Sequence, residues 1–279
     1  MMKLKLCLPA LTLTMAFLAP QAIGAEEEVV MGKIGDGKRE WSTIKEGVFP
    51  TQTLEDAAGF LTLDAPSRAE DAAVVPIAVR VAEPASPGKA VKTLWLLVDQ
   101  NPSPVAAVFH FHEGSGRADI ETRIRMEQYS QVRAVAETMD GHFYMTSHFI
   151  KGAGACSAPP GKDLEAALKN VGRMKIRLDN GPIRANQANG VEVMVSHPNI
   201  SGLAMDQVTH LYVPPYYVRQ VQVSYADRPV MTAEVDFSIS ENPVFHLYFL
   251  PHEDGELKAE VLDTHNRQFV QRMGVVLSP

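Results

Sequence analysis

From Leu61 onward the chain alternates apolar and polar residues with a period of two, and the alternation returns in short runs almost to the C-terminus. That period puts every second side chain on one face of an extended strand, so such runs make half-buried strands and leave little room for helices. Ile120, Thr122, Ile124 and Met126 alternate with Glu121, Arg123, Arg125 and Glu127, giving a strand with one packed face and one charged face. Residues 73–81, 93–98 and 105–112 repeat the pattern, as do Met174 to Leu178, Val191 to Val195, Val221 to Tyr225, Met231 to Ile239, Phe245 to Phe249 and Leu257 to Val261. Turn residues separate the runs. Asp140-Gly141 predicts a hairpin between 132–139 and 142–150, and 226–229 predicts another turn. The class is therefore all-β, with antiparallel Ig-like sandwiches.

The pattern breaks at 151–163, KGAGACSAPPGKD, which has almost no side chain able to fill a core. Asp163 can cap a short helix with Leu164, Leu168 and Val171 on one face and Gly172 at its end. Two sandwiches are expected, 41–150 and 173–279, joined across 151–172; residues 41–60 carry a weak signal for a turn or two of helix.

Residues 1–25 read as a secretory leader. Lys3 and Lys5 precede a short apolar stretch, and small residues close it at Ala22-Ile23-Gly24-Ala25. The stretch is shorter than the ~20 residues a spanning helix needs. A periplasmic protein follows. Cleavage would take Cys7 and leave Cys156 as the one cysteine of the mature chain. In an oxidising compartment that residue cannot close an intrachain disulfide and stands as a reactive thiol. Acidic residues number 33 against 26 lysines and arginines, which argues against nucleic acid as a partner. No later run is long and apolar enough for a membrane.

Cys156 is the strongest candidate for chemistry. Gly152, Ala153, Gly154 and Ala155 leave its N-terminal approach unhindered and free in φ, so an exposed thiol on a flexible strip is expected. Lys151 and Lys162 are the nearby cations that would favour the thiolate. A packed, inert cysteine and an intermolecular disulfide are the competing accounts. His110-x-His112 places two imidazoles on one strand face, but two ligands are not a metal site. Gly114-Ser115-Gly116 lacks the spacing of a nucleophile elbow. Arg123 and Arg125 offer an anion two guanidinium groups, although Glu121 and Glu127 make an ordinary charged face the duller reading. With no phosphate loop, dinucleotide fingerprint or catalytic carboxylate pair, an enzyme is not expected, nor is a metal or organic cofactor.

The first half resembles SoxY, the sulfur-carrying subunit of the periplasmic thiosulfate-oxidising system, in LTLDAPSRAEDAAVVPIAV (61–79), DQNPSPVAAVFHF (99–111), TRIRM (122–126) and a strand entering a small-residue loop with a cysteine. The second half resembles SoxZ, its Ig-like partner, in VMVSHPNISG (193–202), YVRQVQVSYADRPVMTAEVDFSISENPVFHLYF (217–249) and LKAEVLD (257–263). The order is most similar to fused SoxYZ-like carriers associated with quinoprotein dehydrogenases. The resemblance implies that Cys156 is the covalent attachment residue, that Gly152 to Ala155 are its flexible approach, and that c-type cytochromes or quinoprotein components are the partners. In SoxY the cysteine lies in a terminal Gly-Gly-Cys-Gly-Gly arm. Here it is internal and followed by Ser157-Ala158-Pro159-Pro160, so a protruding loop replaces a free swing. The competing class is an Ig-like binding or assembly module of a quinoprotein system.

Overall fold

A computed structural model describes residues 39–84, 86–158, 164–206 and 210–278. The leader and Lys162 lie outside the described residues, as does the expected cap Asp163. The strands of the first half are β1 (Leu54–Asp56), β2 (Leu61–Asp64), β3 (Val75–Val81), β4 (Val91–Val98), β5 (Val105–Phe111), β6 (Ile120–Ile124), β7 (Ser130–Thr138) and β8 (Phe143–Ile150). Those of the second half are β9 (Met174–Leu178), β10 (Asn189–Val195), β11 (Val218–Tyr225), β12 (Arg228–Val235), β13 (Val244–Phe249), β14 (Gly255–Asp263) and β15 (Gln268–Val275). Helix α1 (Trp41–Val48) opens the described chain and α2 (Leu164–Asn170) joins the halves.

The all-β sandwich class is as expected. Each half supplies strands to two layers, and the layers run through the boundary unbroken. One sheet has nine strands in the order β1-β8-β7-β4-β5-β12-β11-β14-β15, the other six in the order β2-β3-β6-β13-β10-β9. The crossings are antiparallel: β5 pairs β12 from Phe111–Met231 to Ala107–Val235, and β6 meets β13 at Glu121–His246. One pairing, β1 with β8, is parallel. The inward residues of both halves form one apolar core, in which Phe109 and Phe245 meet edge to face at 6.3 Å across the junction.

The predicted turns have the backbone their residues favour. Gly141 has φ 84°, and its N–H donates to Thr138 O at 2.9 Å in the β7–β8 hairpin. Ala226 and Asp227, both at positive φ, turn β11 into β12. The weak helical signal after Trp41 becomes α1, which lays Ile44 and then Phe49 on the outer face of the nine-stranded sheet against Leu97 and Val135. Phe49 meets the Trp95 ring at 5.3 Å, and the Arg133 guanidinium sits 4.1 Å over Trp41.

Candidate functional site

Cys156 sits beside the C-terminal end of β6, where the two halves meet. β8 ends at Ile150, and Lys151 is tied to 67–69 by Lys151 N to Ser67 O and Ala69 N to Lys151 O, both 3.0 Å. The chain then folds back: Gly154 N donates to Glu127 O at 2.9 Å and Ala155 N to Met126 O at 3.1 Å. The Glu127 carboxylate collects three donors of the same loop. Cys156 N reaches Oε2 at 2.8 Å, Ser157 N the same oxygen at 3.1 Å, and Ser157 Oγ reaches Oε1 at 2.6 Å. From the second half, Ser201 Oγ donates to Cys156 O.

This corrects two expectations. The Cys156 residue is 1% exposed, so the thiol is covered and not displayed. Gly152 to Ala155 are not a loose strip either. Gly152 is buried, and a Cβ there would stand 3.0 Å from that of Ala69, so this glycine serves close packing. Gly154, at φ 84° with open space around it, makes the turn. The physical reason is local. Two residues of the loop back-bond to Met126 and Glu127, just past the end of β6, and the Glu127 carboxylate then gathers its next donors.

The electrostatics follow. Burial pushes the Cys156 thiol up to about 12; Glu127 and Asp236 add to the rise and Arg125 opposes it. Among the described residues, the cation that opposes the rise is Arg125. At pH 8 such a thiol is ionised to roughly one part in ten thousand, which makes the closed loop chemically quiet.

Sequence reasoning placed Arg125 on a solvated face; it is 8% exposed. Past the end of β6 the strand leaves its register, Arg125 N donating to Ser238 O at 2.7 Å, and the side chain turns into the junction. Its guanidinium donates to the carbonyls of Asn199, Pro198 (3.2 Å) and Phe237 (3.3 Å), all from the second half. Burial lowers its pKa, with Cys156 and Glu241 opposing. Asn101, fully buried, bonds Arg125 O at 2.8 Å and Ser238 Oγ at 3.0 Å, and receives Glu127 N at 2.9 Å. Half-buried Asp236 nearby has its carboxyl raised to about 6, again by burial.

Behind Asn199 stands a second buried polar group. Asn199 N donates to His197 Nδ1 at 3.1 Å, and Tyr216 Oη donates to Asp263 at 2.9 Å while its ring lies 4.5 Å from that of His197. Burial pushes His197 down to about 4. The one hint in the sequence was the segment Ser196-His197-Pro198-Asn199, quoted for its resemblance and not for its chemistry.

The other candidates do not converge on the thiol. His110 pairs with Thr93 Oγ1 at 3.4 Å on β5, and His112 lies beyond that strand, its pKa lowered by burial and by His110. Ser115 is buried in a 3-10 turn and donates to His112 O at 2.8 Å. Among the described residues no group of three His, Cys, Asp or Glu is placed to hold a metal.

Comparison with known proteins bears on this geometry. The family model of the sulfur oxidation protein SoxY matches residues 45–156, ending on Cys156, and that of the sulphur oxidation protein SoxZ matches 176–273. No curated protein matches the chain. Among solved structures, a glycosyl hydrolase family 2 member from Bacteroides cellulosilyticus DSM 14838 aligns at 8% identity and TM-score 0.23, over 73% of this chain and 24% of its own. A beta-glucuronidase of glycoside hydrolase family 2 aligns at 9% and 0.23, over 79% and 20%. The chain thus spans about a quarter or less of either enzyme. With a SoxY match that ends on Cys156 and a SoxZ match following it in one polypeptide, this chain belongs to the SoxYZ-like carrier proteins of sulfur oxidation.

Proposed function

We propose that the protein is a periplasmic carrier that holds a small sulfur species covalently on Cys156 and presents it to redox partners. The single observation that carries the reading is that the SoxY match runs up to and ends on the one cysteine beyond the leader-like segment. The leader-like residues 1–25 support the compartment. For thiosulfate as cargo, one S–S bond forms between Cys156 Sγ and the outer sulfur, the thiol gives up its proton, and two electrons leave. c-type cytochromes, each taking one electron, or an associated quinoprotein dehydrogenase are the acceptors this reading requires. The carrier itself supplies tethering and no catalytic group.

The geometry described is then the closed, unloaded form. Loading requires the 154–158 loop to lift, breaking its bonds to Glu127 and the Ser201 contact, and exposing a thiol whose pKa would fall toward the ordinary ~8.5. The fused second half acts as a permanent partner, so the pairing no longer depends on concentration. The test is intact-mass measurement of protein purified without reductant and then incubated with thiosulfate and an oxidised cytochrome c. A mass increase that reductant reverses and Cys156→Ser abolishes is expected. A chain that stays unmodified while Cys156→Ser retains full activity in the cell would leave only an assembly module.

A further inference from the structure

The six-stranded sheet turns its outer face to solvent, and at the Cys156 end of that face lies a pocket of about 330 Å³. Arg123 of β6, Arg173 just before β9 and Lys175 of β9 line it, with Ser196 and Asn242 between them and Met194 among its apolar lining. No acidic side chain lines it. None of the three cations forms an ion pair with a described residue, whereas on the same face Arg80 pairs with Glu121 and Arg177 with Glu192. Arg123 donates through Nη2 to Asn242 O at 2.8 Å, yet its Nε is buried without a partner. A buried unpaired donor on a cation is uncommon and calls for a ligand or water to complete it.

Three cations without ion pairs that line one pocket repel one another, a cost the protein bears although it is acidic overall, with a net charge of −7. Their positions are fixed by the fold. β9 and β10 pair Lys175 with Met194, and Arg173 is anchored by Ser196 N donating to its carbonyl at 2.8 Å. Arg123 comes from the other half: Ser240 N donates to Arg123 O at 3.0 Å and seats it beside Asn242. The pocket therefore exists only where the two halves are joined.

We infer that this pocket binds a small tetrahedral oxyanion of sulfate type, held by the fork of Arg123 and the charges of Arg173 and Lys175. Planar guanidinium donors suit paired oxygens of such an anion, and a lysine adds a mobile point charge. The volume accepts the ion together with some of its water. The inference is independent of any adduct on Cys156.

The experiment is calorimetric titration of the full chain with sodium sulfate, against sodium chloride at matched ionic strength. Sulfate should bind with one site per chain. The Arg173→Gln/Lys175→Gln protein, altered only at exposed side chains, should bind at least tenfold more weakly, and Arg123→Gln should do the same. Equal sulfate affinity in the wild type and the double variant overturns the inference, as does a wild-type response that chloride reproduces. Because the double variant leaves the Arg123–Asn242 bond intact, its unchanged melting temperature in chloride would separate lost binding from lost folding.

Discussion

Glu127 has the most to do per atom. Its carboxylate accepts two backbone N–H bonds and one hydroxyl bond from Cys156 and Ser157, and its charge raises the neighbouring thiol. Replacing it with glutamine keeps the shape, weakens charge-assisted bonds and removes the repulsion that disfavours thiolate. Glu127→Gln should speed alkylation of Cys156 by iodoacetamide at pH 8 at least tenfold, read by mass spectrometry; an unchanged rate would mean that something other than this carboxylate keeps the loop shut. His197 gives a second residue-scale expectation. Its folded pKa of about 4 lies below the ordinary 6.5, so its contribution is present above pH 6.5 and lost as pH falls toward 4. Asp236, raised to about 6, works oppositely, contributing fully below its ordinary 3.8 and losing that contribution as pH rises through 6. Replacing His197 with asparagine should therefore remove about 2–3 kcal/mol of acid destabilisation between pH 6.5 and 4, measured by denaturant unfolding at each pH. Cys156 stood out in the sequence because only one cysteine followed the leader-like segment. Its burial did not, because Glu127, Ser201 and Arg125 approach it from 29, 45 and 31 residues away, and alternation says nothing of such distances.

At the scale of elements, the predicted helix end at Gly172 is required twice over. The residue has φ 86°, and a Cβ there would fall 2.1 Å from the Phe269 ring. Gly172→Ala should cost about 2–4 kcal/mol, seen as a melting temperature several degrees lower. Only the first reason could be read from the sequence, as a glycine following Leu164, Leu168 and Val171. Phe269 belongs to β15, nearly a hundred residues on. Strand alternation was the most legible feature, since each strand needs only its own residues to declare its faces. The run at Arg123-Ile124-Arg125 misled, because the alternation stops at the strand end and Arg125 swings inward to three carbonyls of the other half.

Across the described residues of both halves, the two sheets and the core cross from one half to the other. Its unfolding should be a single cooperative transition with matching calorimetric and van't Hoff enthalpies; two resolved transitions would mean that the β5–β12 seam carries little energy. A proline at Ala233, in the middle of that seam opposite Phe109, should lower the stability of both halves together. By itself the sequence determined the strand content and the all-β class, and it singled out the cysteine that follows the leader-like segment, because period, turn residues and residue counts are local properties. Which strand edges join, which carboxylate clasps the loop, and that the sulfur is covered were decided only by tertiary structure, since each depends on side chains brought together from both halves to satisfy buried polar groups.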